Sequence, residues 1–292
     1  MLKLKKDSKY EVCIDSSLKK GLMNYGEMLI KGKSSKEILL SSYICHPSMA
    51  NNELSGPTVL TFIAKWLKSL NLNYSYRVVF LPETIGSIYY ISKHLKTLKK
   101  NVVGGFVLTC IGDNRTFSYL PSRYGNTLSD RVAKNVLKHL YPNYESYSFL
   151  DRGSDERQYC SPGVDLPICS IMRTKYHEYP EYHTSKDDLS LISSKGLFGG
   201  YQAIYKAIQI FENNRIYNSR FLCEPQLGKR NLYPNLGTIN AFKTIKKRMD
   251  LLTYSDGKND LLEISEILNI PFIEIYEEAL ILQENGLLEV VG

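Results

Sequence analysis

No apolar run among the 292 residues approaches the roughly 20 that a membrane-spanning helix needs. The basic start, Met1 to Lys9, is not followed by the apolar stretch of a secretory signal. A cytoplasmic setting and no membrane partner are the resulting expectations. The six cysteines stand apart at 13, 45, 110, 160, 169 and 223, with no CxxC pair, so neither a zinc knuckle nor a redox motif is supported. HExxH, the GxSxG elbow, the phosphate-binding P-loop and GxGxxG are all missing, as are internal repeats and low-complexity stretches. Positive charge is missing from the C-terminal tail. No Lys or Arg follows Lys258, whereas eight acids do. The net charge of +7 therefore divides into +15 over the first 258 residues and −8 over the last 34. A basic body invites an anionic partner or substrate, although a lysine-rich surface also has this composition.

What is present is an alternation of apolar runs. Glu37–Cys45, Tyr76–Leu81, Val102–Cys110 and Leu166–Met172 read as strands. Pro57–Leu70, Ile85–Leu98, Asn126–Leu140 and Ser193–Phe211 read as helices. Pro57 suits a first helical turn, and apolar residues recur at 59, 60, 62, 63, 66, 67 and 70. Strands alternating with helices predict an α/β fold, a mostly parallel sheet covered by helices on both faces. The expected organisation is an N-terminal β-rich segment over 1–36, a catalytic domain over 37–214 and a linker over 215–240. Residues 241–292 follow as helix, helix, helix and wing, the order of a winged helix.

Three phrases carry candidate chemistry. His46 ends a predicted strand and is followed by Asn51-Asn52-Glu53-Leu54-Ser55-Gly56, where Gly56 is expected to let the backbone turn. Glu83 follows the apolar run Val78–Leu81. His183 sits in Tyr182-His183-Thr184, with Asp187 placed to cap the next helix. His46, Glu83 and Cys110 would all stand at carboxyl ends of strands, the edge where open α/β sheets place their sites. Two imidazoles and a carboxylate can hold one metal ion and supply a general base. A histidine at a strand end is nonetheless ordinarily structural, and Glu83 could simply favour a helix N-terminus. The charged run Asp151–Arg157 offers Asp155 to orient a ligand histidine and Arg157 to hold an anion. His94, His139 and His177 read as ordinary.

Taken together and in order, these phrases resemble the M28-type zinc aminopeptidases. Within them the chain is most similar to a bacterial branch described by a domain of unknown function (DUF4910) with a C-terminal winged helix, whose members are often named for polysaccharide biosynthesis. The resemblance implies zinc bound by His46, His183 and position 52, with Glu83 as the catalytic base. It implies secondary or substrate-contacting roles for Asp155, Arg157, Tyr182 and Thr184. Three departures accompany it. Position 52 is Asn where the family has Asp, Thr84 stands where two-metal peptidases have a second Glu, and the next strand ends near Cys110 with Asp113 beyond it. One weakly held zinc, or none, is therefore expected rather than two. The chain also begins inside what corresponds to the family's β-rich insertion, so an N-terminally shortened form is expected.

The implied function is zinc-dependent hydrolysis of an amide bond in a small peptide or an amide-containing sugar. The alternative is a catalytically weakened or inactive protein of this fold that binds a sugar or peptide ligand. A winged-helix regulator is disfavoured, because a candidate recognition helix bearing Glu274, Glu277, Glu278 and Glu284 would be repelled by phosphates. No nucleic-acid partner is expected, and the acidic tail is expected to dock on the body or on another subunit in a homo-oligomer.

Overall fold

The computed structural model describes residues 5–233 and 239–291. Its main sheet is built from β1 (Gly26–Ile30), β2 (Glu37–Tyr43), β3 (Ser75–Leu81), β4 (Val102–Val107), β5 (Ser118–Leu120), β6 (Glu145–Ser146) and β7 (Ile168–Met172). The strand order is β1-β3-β2-β4-β7-β5-β6. The central pairs β3/β2, β2/β4 and β4/β7 are parallel, while β1 and β5 pair antiparallel with β3 and β7. This is the expected α/β sheet, with antiparallel additions toward its edges.

Every residue of β2 is buried, as a parallel strand covered on both faces requires. Its side chains divide by alternation. Ile38 and Leu40 face one core with Val59, Leu60 and Ile63 of α1 (Ser55–Leu67). Helices α3 (Leu128–Leu140) and α5 (Ser194–Asn213) pack into that same core. Leu39 faces the other core with Tyr90 and Leu98 of α2 (Ile85–Asn101) and Tyr159 of the short α4 (Glu156–Tyr159). Each fully buried Leu or Ile here contributes about 1.5–3 kcal/mol. The one cation inside β3, Arg77, is accommodated by Glu37 at 2.6 Å, by Glu27 and by the Tyr90 hydroxyl at 3.0 Å.

The chain leaves β2 through α1 to reach β3 on one side, then returns through α2 to β4 on the other. The direction of winding thus reverses at the carboxyl end of β2, where crevices form in such sheets. His46 lies three residues beyond that end.

The C-terminal unit contains α6 (Ile239–Tyr254), α7 (Leu261–Leu268) and α8 (Phe272–Glu284), in the expected helical order. They join a three-stranded sheet of order β10-β8-β9, formed by β8 (Ile216–Ser219), β9 (Asp256–Asp260) and β10 (Leu288–Val290). Here the expected linker is corrected. Residues 216–219 form the central strand of the wing sheet, held by partners some 40 to 70 residues further on. Residues 234–238 of that span lie outside the described residues. The unit docks on α3: Arg131 pairs with Asp260 and Glu266, and the Asn135 amide donates to Ser265 at 2.8 Å. Other acids of the tail meet Lys247 and Arg248 of α6. Among the described residues, no helix is long and apolar enough to cross a membrane.

Gly56 also departs from expectation. It is helical, not a turn residue, and is needed for space. A Cβ there would lie 2.3 Å from the Leu108 carbonyl oxygen and 2.4 Å from Ser42 Oγ. Helix propensity alone favours Gly56→Ala by about 1 kcal/mol, whereas overpacking costs about 1–3 kcal/mol. A backbone carbonyl cannot step aside, so the substitution is predicted to destabilise the protein. Urea unfolding followed by circular dichroism checks the sign, and a raised midpoint would show that α1 moves freely against β4.

Candidate functional site

Three loops meet at the carboxyl edge of the sheet. The first runs from β2 through His46 into a single π-helical turn, Ala50–Leu54, that leads into α1. The second is the tight turn Pro82–Thr84 between β3 and α2. The third is the long segment from β7 to α5, which carries Tyr176 to Asp188. Across them the His46 and His183 rings lie 5.2 Å apart, centre to centre. His46 Nε2 stands 3.8 Å from Glu83 Oε2. Three residues expected from sequence to share a site are thus brought together.

His46 is held from behind. Glu53 Oε2 accepts from the His46 backbone N–H at 2.8 Å and lies 3.1 Å from Nδ1. A carboxylate can only accept, so Nδ1 carries the proton and Nε2 presents its lone pair toward Glu83. Glu53 therefore does what was expected of Asp155. The π-helical turn is the reason: it swings Glu53, not Asn52, under the imidazole. His183 is fixed differently. Tyr182 stacks on it at 4.0 Å, and His177 meets the edge of Tyr182 at 4.6 Å. His177, read as ordinary, thus belongs to the wall of the site.

Asn52 is 1% exposed. Its Nδ2 donates to the Tyr43 hydroxyl at 2.7 Å and approaches Cys110 Sγ at 3.7 Å. The Tyr43 ring in turn lies 5.5 Å from His46. Asn52 Oδ1 is buried without a hydrogen-bond partner among the described residues. A buried amide oxygen without a partner is unfavourable by about 1–3 kcal/mol, which marks it as an acceptor awaiting a ligand.

Asp187 is fully buried, and its role is corrected. Ser193, not Asp187, caps α5. The Asp187 carboxylate instead accepts from the backbone N–H groups of Asn51 at 2.6 Å and Asn52 at 3.1 Å, and from the Tyr179 hydroxyl at 3.1 Å. Its own carbonyl takes the Ala50 N–H at 2.9 Å. The His183 loop is thereby bolted to the turn that follows His46. Asp113 is likewise structural, since it accepts from Asn51, Arg115 and Thr174. Thr184 is exposed, and its hydroxyl donates to the Glu181 carbonyl, so it builds the loop turn.

The Glu83 turn is strained and braced. Thr84 has φ +64°, unfavourable for a β-branched residue. Asp155 Oδ1 accepts from the Thr84 N–H and the Ser87 hydroxyl, each at 2.8 Å. Arg157 Nη2 donates to Thr84 Oγ1 at 2.6 Å. Cys45 Sγ accepts from the Glu83 N–H at 3.1 Å. Ser48, Cys110, His177 and His183 also have positive φ, so five of the nine such non-glycine residues among those described ring this edge. Concentrated strain of this kind is characteristic of functional sites.

Burial dominates the electrostatics. It raises the Glu83 carboxyl above its usual range, against the pull of Ser154, His46 and Arg157. Burial also raises Glu53, opposed by its hydrogen bonds to His46. Asp155 is pushed up to about 7 by burial, with Glu83 and Glu156 adding repulsion. The Cys45 thiol is raised to about 11, again chiefly by burial. Cys45, His46 and Glu53 offer ligand atoms within 4.8 Å of one another. With Glu53 already engaged on Nδ1, the more open donors are His46 Nε2 and the His183 ring, and Glu83 stands 3.8 Å from Nε2. Two imidazoles and the unpartnered buried Asn52 oxygen are donor types that suit one zinc ion.

A family model described as a domain of unknown function (DUF4910) matches residues 9–214, and a winged helix-turn-helix model matches residues 215–290. A Clostridium acetobutylicum protein named for polysaccharide biosynthesis, with an aminopeptidase-like domain, is 45% identical over 261 residues, 89% of this chain and 60% of its own length. The crystal structure of a candidate peptidase from Clostridium acetobutylicum superposes with a TM-score of 0.84 at 41% identity, covering 91% of this chain and 60% of that one. The chain thus spans 60% of the length of these relatives. A zinc aminopeptidase from Bacillus subtilis shares the fold at 16% identity and a TM-score of 0.53, over 64% of this chain and 48% of its own.

Two outcomes follow from this geometry. Asp187→Ala leaves two buried N–H groups and one hydroxyl without their acceptor, so it is predicted to lower stability by at least about 2 kcal/mol. Urea unfolding tests this, and a loss no larger than that of Asp188→Ala would deny the bolt. Asp155 binds a proton more tightly when folded, so its favourable contribution is complete below pH 3.8 and disappears as pH rises toward about 7. In metal-free protein, Asp155→Asn should therefore flatten the decline in thermal midpoint between about pH 4 and 7. An unchanged slope would assign that decline to other groups.

Proposed function

The chain belongs to the family described by the DUF4910 domain, and on that premise we propose that it is a hydrolase of amide bonds using one zinc ion. The observation carrying this reading is the approach of His46 Nε2, the His183 ring and the Glu83 carboxylate across three loops. His46 and His183 would hold the ion, and the Asn52 oxygen would add a neutral donor where relatives have a carboxylate. When bound, zinc supplies Lewis acidity that lowers the pKa of water and polarises a carbonyl.

The remaining work falls to the chain's own side chains. Glu83, whose carboxyl burial raises above its usual range, is suited to take a proton and return it to a leaving nitrogen. Glu53 fixes the tautomer and angle of His46. Tyr182 orients His183 by stacking. Arg157 and Asp155 hold the strained turn that aims Glu83. His183 is exposed, so the centre is open to a soluble substrate such as a small peptide or an amide-bearing sugar. The name of the Clostridium relative supports a role in polysaccharide metabolism, and the basic body favours substrates with negative charge.

A second reading is a binding protein descended from such hydrolases, favoured by the neutral Asn52, Thr84 and Cys110 at positions where two-metal enzymes need acids. For the C-terminal unit we infer a docking role, because Asp260 and Glu266 are already spent on Arg131 of the body.

Elemental analysis of the full chain after exposure to zinc and gel filtration is predicted to give one equivalent. His46→Ala or His183→Ala should abolish it. Asn52→Asp should tighten zinc by about 1–3 kcal/mol in competition against a chelator. Glu83→Gln should retain zinc and lose hydrolysis of aminoacyl amides by at least about 100-fold. Two tightly held equivalents, or zinc retained by the double histidine variant, would contradict the assignment. A wild type loaded with zinc but inert toward every amide tested would favour the binding-protein reading.

A further inference from the structure

Beside the histidine site, loop 121–125 and segment 148–162 enclose a cleft of about 760 Å³. That is room for a molecule the size of a disaccharide or a nucleotide. Three arginines line it, Arg123, Arg152 and Arg157, and no carboxylate does. Several other arginines are matched with acids, Arg77 with Glu37, Arg115 with Glu181 and Arg131 with Asp260, while Arg173, Arg215 and Arg230 also lack an ion pair among the described residues. Arg152 and Arg157 have no ion pair among the described residues. Arg123 is tied to Asp165, which lies outside the cleft lining.

The three cations are also positioned in advance. The Arg123 guanidinium lies 4.7 Å from the centre of the Tyr124 ring, and that of Arg152 lies 5.0 Å from the Phe149 ring. Arg152 Nη1 further donates to the Phe149 carbonyl at 3.3 Å. The Nε–H groups of Arg123 and Arg157 are buried and find no acceptor among the described residues. Buried charged donors without acceptors are unfavourable unless a ligand completes them. Arg157 also reaches the neighbouring site, since its Nη2 holds Thr84, the residue after Glu83. One side chain thus borders both spaces.

We propose that this cleft is a subsite for an anionic group, a carboxylate or a phosphate on a sugar-sized substrate of the histidine site. Planar guanidinium groups match both anions with paired N–H donors, and Tyr124 and Phe149 provide apolar surface for the uncharged body of the ligand. Naming the bound molecule a substrate rests on the hydrolase reading; the binding itself does not.

The test is calorimetric titration of the metal-free full chain with glucose 1-phosphate, with glucuronate and with uncharged glucose. Saturable binding of at least one charged sugar and none of glucose is expected, and the tighter of the two identifies the anion. Arg152→Glu, an exposed position where folding is undisturbed, should weaken that binding at least about tenfold, as loss of one charged hydrogen bond does. Arg157→Gln should do the same. Lys20→Gln, an equal loss of charge on the exposed N-terminal stretch, should leave it unchanged. Failure of wild type to bind either charged sugar, undiminished binding in Arg152→Glu, or equal weakening by Lys20→Gln would overturn the subsite. Binding that behaves as expected in a chain that hydrolyses no amide would keep the subsite and remove the hydrolase reading.

Discussion

One buried carboxylate decides whether this chain has a site at all. Asp187 belongs to the loop of His183, yet it accepts from the backbone of Asn51 and Asn52, 136 and 135 residues away. The sheet alone would bring the loops only to the same edge. Asp187 fixes the register between them, so that the two imidazole rings lie 5.2 Å apart, centre to centre, with His46 Nε2 3.8 Å from Glu83. A fully buried acid is costly unless its oxygens are saturated with donors. Here both oxygens receive N–H groups, and Tyr179 adds its hydroxyl. The interaction is therefore stable only when both loops are in place, which makes formation of the site cooperative with folding of the edge.

The same edge stores the cost of that convergence. Thr84 and His183 both stand in left-handed backbone, and both flank or form the proposed donor set. Asp155 and Arg157 grip Thr84 from opposite chemical sides, one through its N–H and the other through its hydroxyl. Such bracing keeps Glu83 aimed in the presence or absence of a ligand. It also links the histidine site to the arginine-lined cleft, because Arg157 cannot shift toward an anion without altering its hold on Thr84.

Much of the fold was legible in the sequence, for physical reasons. Ile38-Leu39-Leu40 and Val78–Leu81 are continuous apolar runs because their strands are covered on both faces. His46 and Glu83 stood out because they follow such strands, and His183 because of its phrase Tyr182-His183-Thr184. Less legible was anything decided by one step of helical rotation. Asn52 and Glu53 are adjacent, and only the π-helical turn determines which lies under His46. Asp187 and Asp188 are also adjacent, yet one is buried and the other exposed. The pairing of β8 with strands far along the chain left no local mark, so it read as a linker. Gly56 looked like a turn signal, and only the packed sheet reveals the carbonyl that a Cβ would strike.

The central claim is that the two distant histidines, rather than the local Cys45-His46-Glu53 cluster, define the chemistry of this edge. Zinc-edge X-ray absorption on the zinc-loaded full chain separates these arrangements, because sulfur and nitrogen scatter at different distances, about 2.3 Å and 2.0–2.1 Å. The account predicts two imidazole ligands with oxygen completing the shell and no sulfur. A zinc–sulfur distance, or a single imidazole, would place the ion on the Cys45 side and contradict it.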